Sequence, residues 1–306
     1  MSGDLVLNVY LHPPILHTAQ AGKLGFLNRI RALLEPRGWQ ITIRHSGNRA
    51  RAEAPHQPGY ALFNMEQPTH DRALTFRLAY HYPYWRLERL AERWRWPIAL
   101  TRFDPSRIED EAAANFARRL RRRVLPGPDP VRGDHVLIPL QGHIRRQRSF
   151  QSASPVQMIR AAARSGRPCI ATLHPKETYD PADHEALDAL AREFPNLTIG
   201  GDTQARLRDC AFVVTQNSSV GFDGLILGKP VVLFGQSDYH HVCLNAARLG
   251  ADEAIARALD HAPPTEKFLD WFLRRTALDM MAPDADQRLL AAMEKGGWPV
   301  QAAAPD

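Results

Sequence analysis

Residues 211–235 read AFVVTQNSSVGFDGLILGKPVVLFG. Two apolar runs of strand length, AFVVT and PVVLFG, flank a segment with helical spacing that ends at Gly228. Strand, helix and strand in close succession argue for a mostly parallel sheet with helices on its faces. The polar patch Gln216-Asn217-Ser218-Ser219 stands where the first strand gives way to the helix. A helix N-terminus has about four free N–H groups and a partial positive charge, so anions bind there readily. Ser and Asn are also the preferred N-caps of any helix, so a plain cap is the other reading. Gly221 and Gly224 fit close approach to a ligand or to a neighbouring backbone. Asp223, one turn after Ser219, reads either as an acceptor for a ribose hydroxyl or as a surface carboxylate favoured by the helix dipole.

The same alternation runs through the whole chain. In the first half LVLNVYL (5–11), WQITIR (39–44), YALFNM (60–65) and PIALTRF (97–103) read as strands. Helical spacing covers 23–34, 72–96 (interrupted at Pro83) and 106–124. In LPGPDPVRGD (125–134), three prolines and two glycines mark a linker. The alternation then resumes with strands HVLIPL (135–140), PCIATL (168–173) and LTIGG (197–201). Helices are expected from Ser154-Pro155 to Gly166, over 181–194 and over 203–209, and an amphipathic helix over 265–281. The expectation is two Rossmann-like doubly wound α/β domains facing a cleft. An N-terminal acceptor-side domain spans 1–124, the linker 125–134, a nucleotide-sugar-binding domain 135–262, and C-terminal helices 263–306.

Length and charge narrow the classes. A chain of 306 residues is comfortable for two domains. No apolar run approaches the roughly 18 residues a membrane helix needs. The start, MSGDLVLNVYLHPP, lacks a basic region and reads as a first strand rather than a signal peptide. Cys169, Cys210 and Cys243 form no CxxC pair and sit in or beside apolar runs, which suits reduced buried thiols in the cytoplasm. The net charge of +6 fits phosphates, nucleic acid or an anionic membrane face. Its densest cluster, RRLRRR (118–123), reads as a solvated helix or as a contact with anionic lipid or a phosphorylated acceptor. Zinc-finger spacing and RNA-binding aromatic motifs are missing, which sets nucleic acid aside.

In doubly wound sheets ligands bind beyond the carboxyl ends of the strands. That rule selects Gln141-Gly142-His143, His174-Pro175-Lys176-Glu177, Gln216 to Ser219, and Gln236 to His241. His174 can donate to a phosphate or protonate a leaving group near neutral pH, or serve as a structural histidine at a strand end. Lys176 adds charge. His240-His241-Val242-Cys243 matches no standard zinc pattern, and one histidine facing the ligand edge is the better reading. In the first half Glu66 follows YALFNM and His12 follows LVLNVYL. Glu66 is the expected general base, with a loop or N-cap carboxylate as its bland alternative. Tyr80, Tyr82, Tyr84 and Trp85 read as core or as a sugar-stacking surface.

The pieces VLIPLQ (136–141), TLHPKE (172–177) and VTQNSSVGFDGLILGKPVVLFG (214–235) come in an order that resembles the bacterial capsule-polysaccharide biosynthesis and export family. That family includes transferases of Kdo, an eight-carbon acidic sugar, from a cytidine nucleotide. The resemblance covers roughly 135–245. It implies a GT-B glycosyltransferase fold with the nucleotide in the C-terminal domain. It further implies that His174 and the Ser218–Ser219 pair meet the donor phosphate, that Asp223 stands where the family usually has Glu, and that the tail returns to the N-terminal domain. One departure stands out. The Kdo-transferring members carry acidic residues soon after the first of these strands, whereas GHIRRQRSFQSAS (142–154) has no carboxylate and three arginines. Arg145, Arg146 and Arg148 read as binders of an acidic donor or acceptor, or as a solvated loop.

The leading expectation is a glycosyltransferase of surface or capsular polysaccharide biosynthesis. It is cytoplasmic, with peripheral contact at the inner membrane, and uses a CMP-linked sugar and a glycan or lipid-linked glycan acceptor without a required metal. Its expected binding residues are Gln141, Lys176, Gln216, Asn217, Ser218, Ser219, Asp223 and His240; its catalytic residues are His174 and Glu66. A catalytically silent glycan- or nucleotide-binding component of a capsule assembly complex and a nucleotide-sugar epimerase are the alternatives.

Overall fold

The computed structural model describes residues 5–300. In chain order its strands are β1 (Val6–Leu11), β2 (Gln40–His45), β3 (Tyr60–Asn64), β4 (Ala73–Leu78) and β5 (Tyr84–Glu88). There follow β6 (Val136–Pro139), β7 (Cys169–Thr172), β8 (Leu197–Ile199), β9 (Phe212–Thr215), β10 (Val231–Leu233), β11 (Leu244–Asn245) and β12 (Leu278–Asp279). The chain forms two compact units. Unit 1 runs to Trp96 and resumes at Leu273; unit 2 is Pro97–Phe272. Each is an α/β unit built on one sheet, as the alternation predicts.

In unit 1 the strand order is β12-β5-β4-β3-β1-β2. Strands β2, β1, β3 and β4 are parallel; β5 runs antiparallel to β4, and β12 antiparallel to β5. Strand residues such as Val9, Leu62 and Phe76 pack against Phe26, Leu27 and Ile30 of the helix Gly25–Leu34 and against Leu289, Met293 and Trp298 of the tail. Phe26 stacks on Phe76 at 5.3 Å and on Trp85 at 4.6 Å. The stretch 72–96, expected to be helical, is instead the β4–β5 hairpin. ALTFRL and YWRLE alternate at period two; β3 offers a parallel ladder to the first, and the two strands pair antiparallel with each other, which satisfies backbone groups. Tyr84 and Trp85 are core residues, while Tyr82 is exposed.

Unit 2 has the order β11-β10-β9-β6-β7-β8, all parallel. Counted in chain order, this is the 3-2-1-4-5-6 arrangement of dinucleotide-binding sheets, with the reversal between β6 and β9. Both faces are covered, so the strands are almost continuously apolar. The helix Pro155–Ala163 opens with a capping box of Ser154 and Gln157, and Pro181–Glu193 with one of Asp180 and Asp183. The three cysteines are free and buried.

Three expectations change. PIALTRF is not a strand: Pro97 starts one helical turn, Pro97–Leu100, a position where its missing N–H costs nothing. The prolines and glycines of 125–134 are not a free connection either. Arg208 donates to the carbonyls of Leu125, Pro126 and Pro128 at 2.7–2.8 Å. The buried ammonium of Lys229 donates to those of Val131 and Cys210 at 2.5 and 2.8 Å. Burial holds this lysine below its ordinary pKa. These cations tie the segment, and the helix Asp110–Val124 before it, into unit 2, so the units divide at Trp96/Pro97 and Phe272/Leu273. The tail helix expected over 265–281 is Thr265–Leu269 continued by a π-helical turn, Asp270–Arg275, and stops where β12 pairs with β5. Among the described residues no helix is long and apolar enough to cross a membrane.

Candidate ligand site at the switch point of unit 2

The reversal of strand order puts the ends of β6 and β9 side by side, with β7 and β10 as their outer neighbours. Parallel strands lie about 4.8 Å apart, so the four expected segments share one edge in the order Gln236, Gln216, Gln141, His174. The sheet therefore brings together the residues that the sequence singled out one by one.

At the end of β9, Gln216 is 2% exposed and donates through Nε2 to Ala153 O at 3.0 Å, while its Oε1 is buried without a partner among the described residues. Asn217 donates to Gln236 O at 3.1 Å. Ser218 is the N-cap of the helix Ser219–Ile226, its Oγ accepting from Val220 N–H at 3.2 Å. The cap uses a lone pair of the hydroxyl and leaves its proton available to a ligand. The cap reading and the anion reading are therefore compatible. Ser219 is exposed at the helix start. Asp223 is buried, which removes the surface-carboxylate reading.

The two helix glycines have structural causes. A Cβ on Gly221 would lie 2.5 Å from Tyr239 Oη, which crosses this point to donate to Ser218 O at 2.8 Å. A Cβ on Gly224 would lie 3.2 Å from Val213 Cγ2 of β9. Tyr239 therefore supports the turn at the start of this helix. Nothing local to it in the sequence announces that role.

At the end of β7, His174 is half-buried and its Nδ1 accepts the N–H of Lys176 at 3.2 Å. This contact assigns the ring proton to Nε2, which is then a donor. The Lys176 side chain is exposed. Gln141, after β6, keeps a buried Oε1 without a partner among the described residues. His240 is differently occupied: its Nε2 contacts Ala99 O at 3.0 Å, and the next ring, His241, contacts Thr101 O at 3.0 Å. These histidines brace the chain that enters unit 2.

The loop after β6 lies across the ends of β9 and β10. Gln151 bridges Gly235, Ser152 N–H donates to Phe234 O at 2.7 Å, and Gln236 N–H donates to Phe150 O at 2.8 Å. Arg145 is held by Asp183 at 2.8 Å and Asp180 at 2.7 Å, which raises its pKa further and takes it out of ligand binding. Arg146 is exposed. A pocket of about 890 Å³ lined by Ala211, Lys229, Pro230 and Pro263 opens at the amino ends of β9 and β10. The strand reversal and the polar strand ends lie at the opposite, carboxyl edge, where doubly wound sheets bind ligands.

Unit 1 has a reversal of its own, between β1 and β3. Its two strand ends carry His12 and Glu66, and the side chains meet at 3.3 Å. Glu66 also pairs with Arg51 at 3.0 Å and accepts from Ser46 Oγ. With Glu66 18% and His12 51% exposed, the carboxylate is the held partner and the imidazole the accessible one.

Residues 196–273 match the family described as capsule polysaccharide biosynthesis protein, a stretch that contains Ser218, Ser219 and Tyr239. No curated protein matches the chain. Similar solved structures include the beta Kdo 2,7 transferase KpsC of Thermosulfurimonas dismutans, at 14% identity over 83% of this chain and 90% of that one, TM-score 0.47. The beta Kdo 2,4 transferase KpsC of the same organism is 16% identical over 87% and 89%, TM-score 0.47. S. aureus MnaA with UDP is 8% identical over 98% of each chain, TM-score 0.45.

Proposed function

We propose that the protein is a glycosyltransferase of surface or capsular polysaccharide assembly that uses a nucleotide-activated sugar. The observation that carries this reading is that His174 Nε2–H, the Ser218 hydroxyl and the start of the helix Ser219–Ile226 share the edge where the unit 2 sheet reverses. The family match over 196–273 supports it. In glycosyl transfer a bond forms between an acceptor oxygen and the anomeric carbon while the bond from that carbon to the phosphate oxygen breaks. Negative charge gathers on the leaving phosphate, where fixed donors and a helix dipole are worth most. His174, Ser218 and Ser219 fill that role. Gln141, Gln216 and Asn217 orient the nucleotide. Lys176 and Asp223 are assigned to the nucleotide side with them, Lys176 as a mobile charge, whereas His240 is engaged with the Ala99 carbonyl.

Glu66 was the residue expected as the general base; within unit 1 it pairs with the more exposed His12 at 3.3 Å, and the base role is assigned to His12 with Glu66 holding its ring. The resemblance carried by 136–141, 172–177 and 214–235 suggests a CMP-linked donor. The exposed Arg118, Arg119, Arg122 and Arg123 are assigned a peripheral contact with an anionic membrane at the cytoplasmic face, near a glycan or lipid-linked glycan acceptor.

The test is calorimetric titration of CMP, UDP and GDP into the wild type and His174→Ala. Binding of CMP alone, weakened about tenfold or more in the variant, supports the site and the cytidine donor. Selective UDP or GDP binding keeps the transferase and discards that donor. No binding of any nucleotide overturns the site. Product analysis with the donor so identified then looks for a transferred sugar; an isomerised donor overturns the transferase.

A further inference from the structure

We propose that Arg148 and Gln151, on the loop between β6 and the helix Pro155–Ala163, form an oxyanion subsite that takes two oxygens of a phosphate or of a sugar carboxylate. The inference rests on the switch-point reading of unit 2 and extends it to a loop that the family resemblance leaves unexplained.

Three arginines stand in this loop, and the structure separates them. Arg145 is paired with two carboxylates, and Arg146 faces solvent. The Arg148 guanidinium lies over the Phe150 ring at 4.8 Å. That ring in turn packs on Gly235, where an added Cβ would come within 3.2 Å of it and 3.0 Å of Gln216 O. The loop is fixed from both sides. Arg148 N–H donates to Gln151 Oε1 at 2.7 Å, Gln147 Nε2 donates to Gln151 O at 2.8 Å, and Gln216 Nε2 donates to Ala153 O at 3.0 Å. Arg148 is thus held beside the end of β9 and not on a free loop.

Its Nε and Nη2 are buried and have no acceptor among the described residues. These two N–H groups share one edge of the guanidinium, the edge that grips a carboxylate or phosphate with two parallel bonds. Gln151, 5% exposed, adds a third donor of the same kind: its Oε1 is used by Arg148 N–H, and its Nε2 is buried without a partner. Three unmatched donors on two hydrogen-bonded residues call for a ligand group that only accepts. A guanidinium cannot escape by losing its proton, so an uncompensated burial of this kind is costly until an anion arrives. Burial pushes the Arg148 pKa down, and the nearby Glu177 charge opposes that. The Glu177 carboxylate is packed against the backbone of Gly142, where a Cβ would overlap it, so its position is set by the adjoining loop.

The experiment uses the full chain in buffer free of phosphate and sulfate. Thermal unfolding is followed for the wild type, Arg148→Gln and Arg148→Lys, with inorganic pyrophosphate, with CMP, UDP and GDP, and with glucuronate as a free sugar acid. The expected result has two parts. Without oxyanion, Arg148→Gln unfolds no earlier than the wild type, because an unpaired buried charge is gone; a merely structural arginine would lower the midpoint. With oxyanion, the wild-type midpoint rises. That rise is lost in Arg148→Gln and reduced in Arg148→Lys, with calorimetric affinity down about tenfold or more. A rise with pyrophosphate or nucleotide identifies phosphate as the source; a rise with glucuronate alone identifies the carboxylate. The inference is overturned if no oxyanion affects the wild type, or if the rise persists in Arg148→Gln. Nucleotide binding indifferent to Arg148 overturns this subsite and leaves the proposed function standing. A pyrophosphate effect that needs Arg148, without nucleotide binding, does the reverse.

Discussion

Tyr239, Gly221 and Ser218 behave as one device. The phenol donates to the Ser218 carbonyl, and Gly221 is a glycine because the phenol passes there. Removing the hydroxyl in Tyr239→Phe loses one buried hydrogen bond, while the Ser218 carbonyl keeps the Gly221 N–H at 3.1 Å, a cost of about 0.5–1.5 kcal/mol. Gly221→Ala forces a methyl against Tyr239 Oη and, at 3.0 Å, against Thr215 Cγ2, an overpacking of about 1–3 kcal/mol. The two changes meet at one atom, so urea midpoints of the double variant should show a cost clearly below the sum. Full additivity would mean that Gly221 is there for another reason. The sequence pointed to a need for small residues at 221 and 224, but the neighbour they accommodate comes from a later turn. Local spacing gives no sign of which side chain reaches back. The place of His174 was more legible: a histidine directly after an apolar strand stands at the carboxyl edge of the sheet, and only its tautomer required the structure.

At the scale of elements, the short turn His240–Val242 braces the chain entering unit 2. The two imidazoles stack at 4.2 Å and bond to the carbonyls of Ala99 and Thr101. Burial, helped by the neighbouring His240, pushes the His241 pKa from 6.5 down to about 4, against the weaker pull of the Thr101 carbonyl and Asp238. Its Nδ1 is buried without a partner among the described residues, so a second proton would have no acceptor. The unfolded chain takes up that proton below about pH 6.5 and the folded chain refuses it until about pH 4. This contribution to stability is therefore complete above pH 6.5 and falls away as pH drops toward 4. Between pH 7 and pH 5, His241→Gln should lose less of its urea midpoint than the wild type; an equal loss would sink the assignment. Periodicity could not foresee this brace, because PIALTRF has the composition of a strand. It becomes a turn only because Pro97 starts it and two distant imidazoles donate to its carbonyls. In unit 2, β6 to β10 were legible as apolar runs, whereas β4 and β5 were not: their aromatic side chains also fit a helix, and the choice was made by β4 pairing with β3 and with β5.

For the whole chain, composition suggested a division at 125–134, and it misled because prolines mark a connection only when nothing captures their carbonyls. Arg208 captures those of Pro126 and Pro128, Lys229 captures that of Val131, and neither residue is near in sequence. The return of the tail was suggested only by family resemblance; the structure gives it a physical basis. β12 adds to β5, Arg29 pairs with Asp286 at 2.5 Å, and the helix Ala285–Lys295 buries Leu289 and Met293 in the core of unit 1. Trp298 closes that core. It is 2% exposed, lies 6.0 Å from Trp39 and 5.8 Å from Tyr60 between ring centroids, and donates its indole N–H to Arg72 O at 3.2 Å. Truncation to alanine removes a large buried ring and leaves a cavity beside two aromatic partners, a loss of about 3–5 kcal/mol. Because Trp298 packs within unit 1, hydrogen exchange should accelerate in β1, β3 and β4, the strands bearing that core, far more than in β6, β7 and β9. If protection in both sheets fell equally, the tail would be serving the stability of the whole chain, and the division at Trp96 and Leu273 would not mark units that open separately.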